Sequence, residues 1–200
     1  FPKESEVALS KTFIDATLGD VFDELFADIK AKTTVKALPI KYFKVKGTTQ
    51  DVLAQIRDFL GLLVMFDSDS VVRVLEVPTS IPEDLPMFNF FIDSDVVSAP
   101  TRKVTFRTPE AEYTSGTSDG DAIVINSAIN CGDRSQALLT YYQFMENSIT
   151  LDIPYFDGLR QGAYVNLQYN DLTIPAMVTD FTADLLSNSM SVQFSYWRRT

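Results

Sequence analysis

Two hundred residues with 46% hydrophobic and 12% aromatic content supply enough apolar surface for one large core or two small ones, so the chain is expected to fold. A formal net charge of −10 and a pI near 4.4 oppose stable nucleic-acid binding, which needs clustered Lys and Arg to displace counterions from phosphates. The lack of any histidine removes Ser-His-Asp and Cys-His catalysis and the usual zinc ligand sets, and a single cysteine, Cys131, excludes an intramolecular disulfide.

The chain opens at Phe1 rather than Met, and residues 1–15 lack the basic start and apolar centre of a secretory signal, which reads as a processed product or a fragment. A strand over residues 6–14 leads to Thr17-Leu18-Gly19-Asp20. Thr17 is suited to cap a helix there, with Asp20 answering it in a capping box. Leu18, Val21, Phe22, Leu25, Phe26 and Ile29 then recur at helical spacing and form one apolar stripe.

Residues 37–46 alternate apolar and basic side chains, as a half-buried strand does. Lys30, Lys32, Lys36, Lys41, Lys44 and Lys46 make this stretch basic, which reads as the solvated face of an edge strand or as a phosphate or partner-docking strip. Thr48-Thr49-Gln50-Asp51 opens a second helix over residues 50–60, with Val52, Leu53, Ile56, Phe59 and Leu60 inward and Gly61 placed for a left-handed stop. Apolar strands at 62–66 and 71–77 flank Asp67-Ser68-Asp69-Ser70, a hairpin signal. The longest apolar run, Leu60-Gly61-Leu62-Leu63-Val64-Met65-Phe66, falls far short of the roughly 20 residues of a membrane span.

Pro78, Pro82, Pro86, Pro100 and Pro109 then interrupt regular structure and place a boundary at 78–100. Within it Met87-Phe88-Asn89-Phe90-Phe91-Ile92 is too apolar for a free linker and reads as a docked strand or a partner-binding strip. Strands follow at 103–108 and 122–125, joined through a Gly/Ser-rich loop at 113–121. One helix is capped by Asp133, with Gln136 three residues on, and presents Ala137, Leu138, Tyr141, Tyr142 and Met145. Further strands at 149–153, 164–169, 172–178 and 190–196 are separated by Gly158, Gly162, Asn170-Asp171 and Ser187-Asn188.

The expected fold class is α+β. An α/β module with two helices on a small mixed sheet (1–77) and a connector with an apolar strand (78–100) precede a mostly antiparallel β-domain with one helix (101–200).

Chemistry is sparse. Twenty-seven acidic residues allow many carboxylate pairs of the kind glycoside hydrolysis uses but single out none. Asp67 and Asp69, and again Asp93 and Asp95, repeat an Asp-Ser-Asp spacing that could offer hard oxygens to calcium, yet no twelve-residue loop ends in the required glutamate, and turn chemistry accounts for them. Cys131 lacks a base and reads as a packed side chain. Gly158-Leu159-Arg160-Gln161-Gly162 lacks the strand-to-helix context of a phosphate loop. Tyr196-Trp197-Arg198-Arg199 could stack on a base or sugar, but Trp197 reads as an aromatic anchor at a strand end. No catalytic residue, metal or cofactor is therefore assigned, and the surfaces singled out for partner contact are Met87, Phe88, Phe90 and Phe91, Lys41, Lys44 and Lys46, and Trp197.

Two regions carry a family resemblance. In the first, Thr17-Leu18-Gly19-Asp20-Val21-Phe22-Asp23-Glu24-Leu25 is followed by Val45-Lys46-Gly47-Thr48-Thr49-Gln50-Asp51-Val52-Leu53 and by Leu60-Gly61-Leu62. In the second, Ser135-Gln136-Ala137-Leu138-Leu139 precedes Ile153-Pro154-Tyr155-Phe156-Asp157-Gly158-Leu159-Arg160-Gln161-Gly162-Ala163-Tyr164-Val165 and Met177-Val178-Thr179-Asp180-Phe181. Together and in this order they resemble the tail hub (baseplate hub) proteins of bacteriophages, relatives of which also form needle-base proteins in contractile secretion machines.

The resemblance implies a non-catalytic virion protein of the tail, assembled in the host cytoplasm. It implies a homo-oligomeric ring, often trimeric, that joins tail-tube to tail-tip proteins, with an acidic lumen that lets DNA pass. The α/β half alone also looks like secretin N-terminal domains and receptor signalling domains, which act in the periplasm by protein–protein contact. A carbohydrate-binding β-domain and a carboxylate glycosidase are the remaining alternatives.

Overall fold

A computed structural model describes residues 8–27, 31–66, 71–79, 88–92, 101–117 and 121–197. Its helices and mixed sheets make an α+β protein. No described helix is long and apolar enough to cross a membrane.

Strand β1 (Leu9–Thr17) runs into helix α1 (Leu18–Leu25), and the capping box at Thr17 and Asp20 forms as the residue types require. The hydrogen bonds from Thr17 hold the Asp20 carboxyl below its ordinary value. The helix stops a turn short of the apolar stripe: Phe26 N–H closes the last bond to Phe22 O, and the two rings meet edge to face at 4.9 Å. The chain then enters a short strand, β2 (Ala31–Thr33), that the sequence reading did not anticipate.

Strand β3 (Pro39–Gly47) follows, and then helix α2 (Thr49–Leu60), capped by Thr48 and Asp51. Gly61 takes a φ of +66 at the end of α2, and a Cβ there would lie 2.9 Å from the Leu138 backbone. Handedness and close approach both demand glycine at this turn. Strands β4 (Leu62–Phe66) and β5 (Val72–Glu76) pair antiparallel, while β2 joins β5 in parallel, giving the order β2-β5-β4.

Strand β6 (Phe88–Phe91) is the described element of the proline-rich segment. Strands β7 (Lys103–Arg107), β8 (Glu112–Gly116) and β9 (Ala122–Asn126) form a separate sheet in the order β8-β7-β9. The first four residues of the expected loop at 113–121 are therefore strand. Gly116 makes this possible, since at φ +100 its Cα passes so close to the Arg102 carbonyl that a Cβ would sit 1.9 Å from the oxygen. Strand β10 (Ile129–Asn130) completes a sheet ordered β1-β3-β10.

Strand β3 is thus central, not an edge, because β1 pairs with it along its length and β10 closes its other side at Phe43 and Tyr42. Its lysines belong to an exposed sheet face. Ile40 and Phe43 are both buried although three residues apart, so the alternation slips between the partners Ile14–Tyr42 and Ala16–Ile40, where Asp15 takes a φ of +48.

Helix α3 (Ser135–Glu146) leads to β11 (Ser148–Pro154), β12 (Tyr164–Tyr169), β13 (Leu172–Asp184) and β14 (Ser189–Tyr196). These form a five-stranded sheet in the order β11-β14-β13-β12-β6, antiparallel except where β6 runs parallel to β12. Strand β13 runs six residues beyond its expected end at Val178, through a bulge between Val178 and Asp180.

The chain divides by contact into two units, and not at one linear boundary. The described residues of 1–77 group with those of 101–142, and the described residues of 78–100 group with 143–197; the division falls inside α3. The first unit's core explains why. Phe22, Val52, Ile56 and Leu60 from the two capped helices share one buried cluster with Val104, Phe106, Ile129 and Leu138. The second unit's core is the inner face of the five-stranded sheet, with Val165, Leu167, Val178, Val192 and Phe194 among its buried side chains. Each such side chain contributes about 1.5–3 kcal/mol before entropy.

Arg134 ties the first unit together. Its Nε and Nη2 donate to Leu60 O at 2.9 and 2.7 Å, and its Nη1 reaches Glu76 Oε1 at 2.9 Å, with only 9% of the side chain exposed. Replacing it with alanine strands a buried helix-end carbonyl, so Arg134→Ala is expected to lower urea-unfolding stability by about 3 kcal/mol. Glu76→Gln, altered at a carboxylate that is half exposed, should cost under about 1 kcal/mol. A fragment of residues 1–77, deprived of Val104, Phe106, Ile129 and Leu138, should show no cooperative thermal transition in circular dichroism.

Candidate functional site

Asp20, Asp51, Glu110 and Asp184 are all held below their ordinary values. Hydrogen bonds from Thr17, Thr48, Asn130 and Ser187 respectively are the leading causes, and Lys41 adds to the effect at Glu110. A general acid needs the opposite shift. Cys131 is buried, and burial pushes its thiol up to about 12, with Asp133 adding to the rise and Arg134 opposing it. Among the described residues no three His, Cys, Asp or Glu side chains converge on a metal position. A shallow groove between α2 and β4 is lined by Gln50, Leu53, Ala54, Arg57, Val64 and Phe66, a mostly apolar set without an acid or a nucleophile.

The surfaces singled out from sequence fall in different places. Met87, Asp67, Asp69, Asp93 and Asp95 lie outside the described residues. In β6, Phe90 turns inward against Phe194, with ring centroids 5.2 Å apart, while Phe91 is 82% exposed. Phe88 is half exposed and meets Phe156 edge to face at 4.9 Å. β6 also ends the sheet order, so its outer edge pairs with no described strand.

Trp197 is an internal anchor. Its indole N–H donates to Pro78 O at 2.7 Å, and its ring packs on Phe144 and Tyr164. Lys41 lies 3.5 Å from Glu110. Lys44 and Lys46 project from the same exposed face of β3, without a carboxylate in ion-pair reach among the described residues.

That face can be written row by row from the register: Ser10 opposite Lys46, Thr12 opposite Lys44, and Ile14 opposite Tyr42. Opposed residues of an antiparallel pair share a face. Ile14 is 66% and Tyr42 41% exposed, so the face is basic at one end and apolar at the other.

A second surface was missed in the sequence. Strands β11, β14 and β13 form a three-stranded arm whose outer rows are Thr150–Gln193–Asp180, Asp152–Ser191–Thr182 and Pro154–Ser189–Asp184. At its end the β13–β14 turn carries Leu185 and Leu186, the latter wholly exposed. Asp184 Oδ1 accepts the N–H groups of Leu186 and Ser187 at 2.9 and 3.3 Å, Asn188 takes a φ of +51, and Tyr155 N–H donates to Asn188 O at 3.0 Å. These hydrogen bonds brace the turn with its leucines outward. The available signal was a run of two leucines inside the Asp184-to-Asn188 turn sequence, where polar residues are the norm.

No protein-family model matches the sequence, and no curated protein does. Solved structures do share its fold. The tail protein from Neisseria meningitidis MC58 superposes over 94% of this chain with a TM-score of 0.62 at 10% identity. The prophage MuSo2 43 kDa tail protein from Shewanella oneidensis superposes over 94% with a TM-score of 0.53 at 14% identity. The chain spans 69% of the first and 64% of the second.

The thiol chemistry gives a direct check. With a value near 12, about one part in ten thousand of Cys131 is ionised at pH 8. Iodoacetamide should leave the native protein unlabelled over hours and alkylate it within minutes in denaturant, as followed by intact mass.

Proposed function

We propose that the chain is a structural protein of a bacteriophage tail, a hub that assembles as a ring of three copies and joins tail-tube to tail-tip proteins. The observation that carries this reading is the fold likeness to two tail proteins along 94% of the chain. The motif order in residues 17–62 and 135–181 points the same way. Docking, not bond-making, is the work its surfaces suit: an outer edge of β6 that pairs with no described strand, an exposed Phe91, a lysine-bearing sheet face and a hydrogen-bonded, leucine-tipped turn.

The charge fits the same role. A ring with net charge −10 per copy repels DNA, so a genome can pass its lumen without adhering. The site of action is then the virion tail, after assembly in the host cytoplasm.

The test is the mass and shape of the full-length chain in solution. Light scattering should give a closed oligomer of three copies at micromolar concentration, and negative-stain microscopy should show rings with a central opening. A strict monomer at several hundred micromolar would overturn the ring.

A further inference from the structure

The two surfaces described above are opposite in charge, and the opposition runs through the sequence. Between Ile29 and Gln50 there are six lysines and no acidic residue. Between Gln143 and Trp197 there are six acidic residues, Glu146, Asp152, Asp157, Asp171, Asp180 and Asp184, against a single cation, Arg160. That cation is already committed locally, donating to Leu159 O at 2.8 Å with its guanidinium 3.7 Å from the Asp157 carboxylate. Asp152, Asp180 and Asp184 are exposed on the outer face of the arm, which carries no positive charge.

We propose that the arm of β11, β14 and β13 docks on the exposed face of the β1–β3 pair of a second copy. Leu185 and Leu186 then cover Ile14 and Tyr42, Asp152 approaches Lys44, and Asp180 approaches Lys46.

Spacing supports the match. Same-face residues along a strand recur about every 7 Å, so the run from Tyr42 through Lys44 to Lys46 and the run from Asp184 to Asp180 each extend about 13 Å. Each surface has an apolar end, and beyond it lie charges of one sign among neutral polar residues: Lys44 and Lys46 beyond Tyr42, and Asp184, Asp152 and Asp180 behind Leu185 and Leu186. The contact joins different patches of two identical chains. It is heterologous, and such a contact closes into a ring when the rotation between copies permits. The inference rests on the ring reading above and names the surfaces through which the ring closes.

A charge-swap series on the full chain tests it, read by sedimentation velocity and mass photometry, with melting curves to verify folding. Lys44→Glu with Lys46→Glu should weaken self-association at least about 10-fold, and Asp152→Lys with Asp180→Lys should do the same. Asp184 is left intact because it holds the turn. The quadruple variant carrying both reversals should recover association to within about 3-fold of the parent, and added salt should weaken the parent and the quadruple variant alike. Leu186→Asp, at a wholly exposed position, should weaken association about 10-fold with an unchanged melting temperature.

Rings that ignore both reversals, or a quadruple variant that stays dissociated, would overturn the docking and leave the ring standing. A parent chain that never self-associates would overturn both.

Discussion

The first unit depends on how the carboxyl end of α2 is satisfied. A helix leaves its last carbonyls without intrahelical partners, and a buried helix end must find donors elsewhere. Here two donors come from Arg134, seventy-four residues away, which holds Leu60 O with two nitrogens while Gly61 lets the Leu138 backbone approach too closely for any side chain. One guanidinium therefore joins the N-terminal module to the segment 101–142 across an interruption of the sequence. A buried cation is costly unless its donors are used, and three of those donors have geometric partners, so the site specifies where α3 begins as well as where α2 ends.

The parts of this architecture governed by neighbouring residues were legible in the sequence. Both capping boxes, the glycine stop at Gly61, the inner faces of the two N-terminal helices and most strands of the second half follow from spacing and turn chemistry. Features governed by distant pairing were not. Strand β10 is two residues long and exists because Ile129 and Asn130 meet Phe43 and Tyr42, a contact with no local signature. The same pairing moves the lysine strand from an edge to the centre of its sheet. Strand β8 hid inside a Ser- and Gly-rich stretch that composition assigns to a loop, and only the Arg102 carbonyl beside Gly116 shows why the glycine is there. Helix α3 buries Leu139 and Phe144 in addition to the single apolar stripe its sequence shows, the one in the first unit's core and the other against Trp197.

The candidate surfaces were half legible for related reasons. Exposed lysines and phenylalanines announce themselves by composition, and Lys44, Lys46 and Phe91 do lie outward. Phe90 and Trp197 were indistinguishable from them in sequence but are used internally, the one against Phe194 and the other through an indole hydrogen bond to Pro78. The leucine-tipped arm went unread because strand β13 continues past a bulge that resets its register, so the alternation over 180–184 is out of phase with the strand before it.

The proposed docking has an energetic consequence. Leu186, wholly exposed, and Leu185, 72% exposed, contribute at most about 1.5–3 kcal/mol each when moved onto an apolar pair, and rim charges add little net affinity after desolvation. Association itself costs on the order of 4–15 kcal/mol in lost freedom, so one such contact between two copies is too weak to persist. A closed ring changes the balance, since the last contact forms within an assembled chain of subunits at a high effective concentration and no end remains to fray. Charge steering then matters more than charge affinity. Copies that repel through their overall acidity approach productively only when the lysine face of one meets the acidic arm of the next, and this favours the ring over disordered aggregates of exposed leucines.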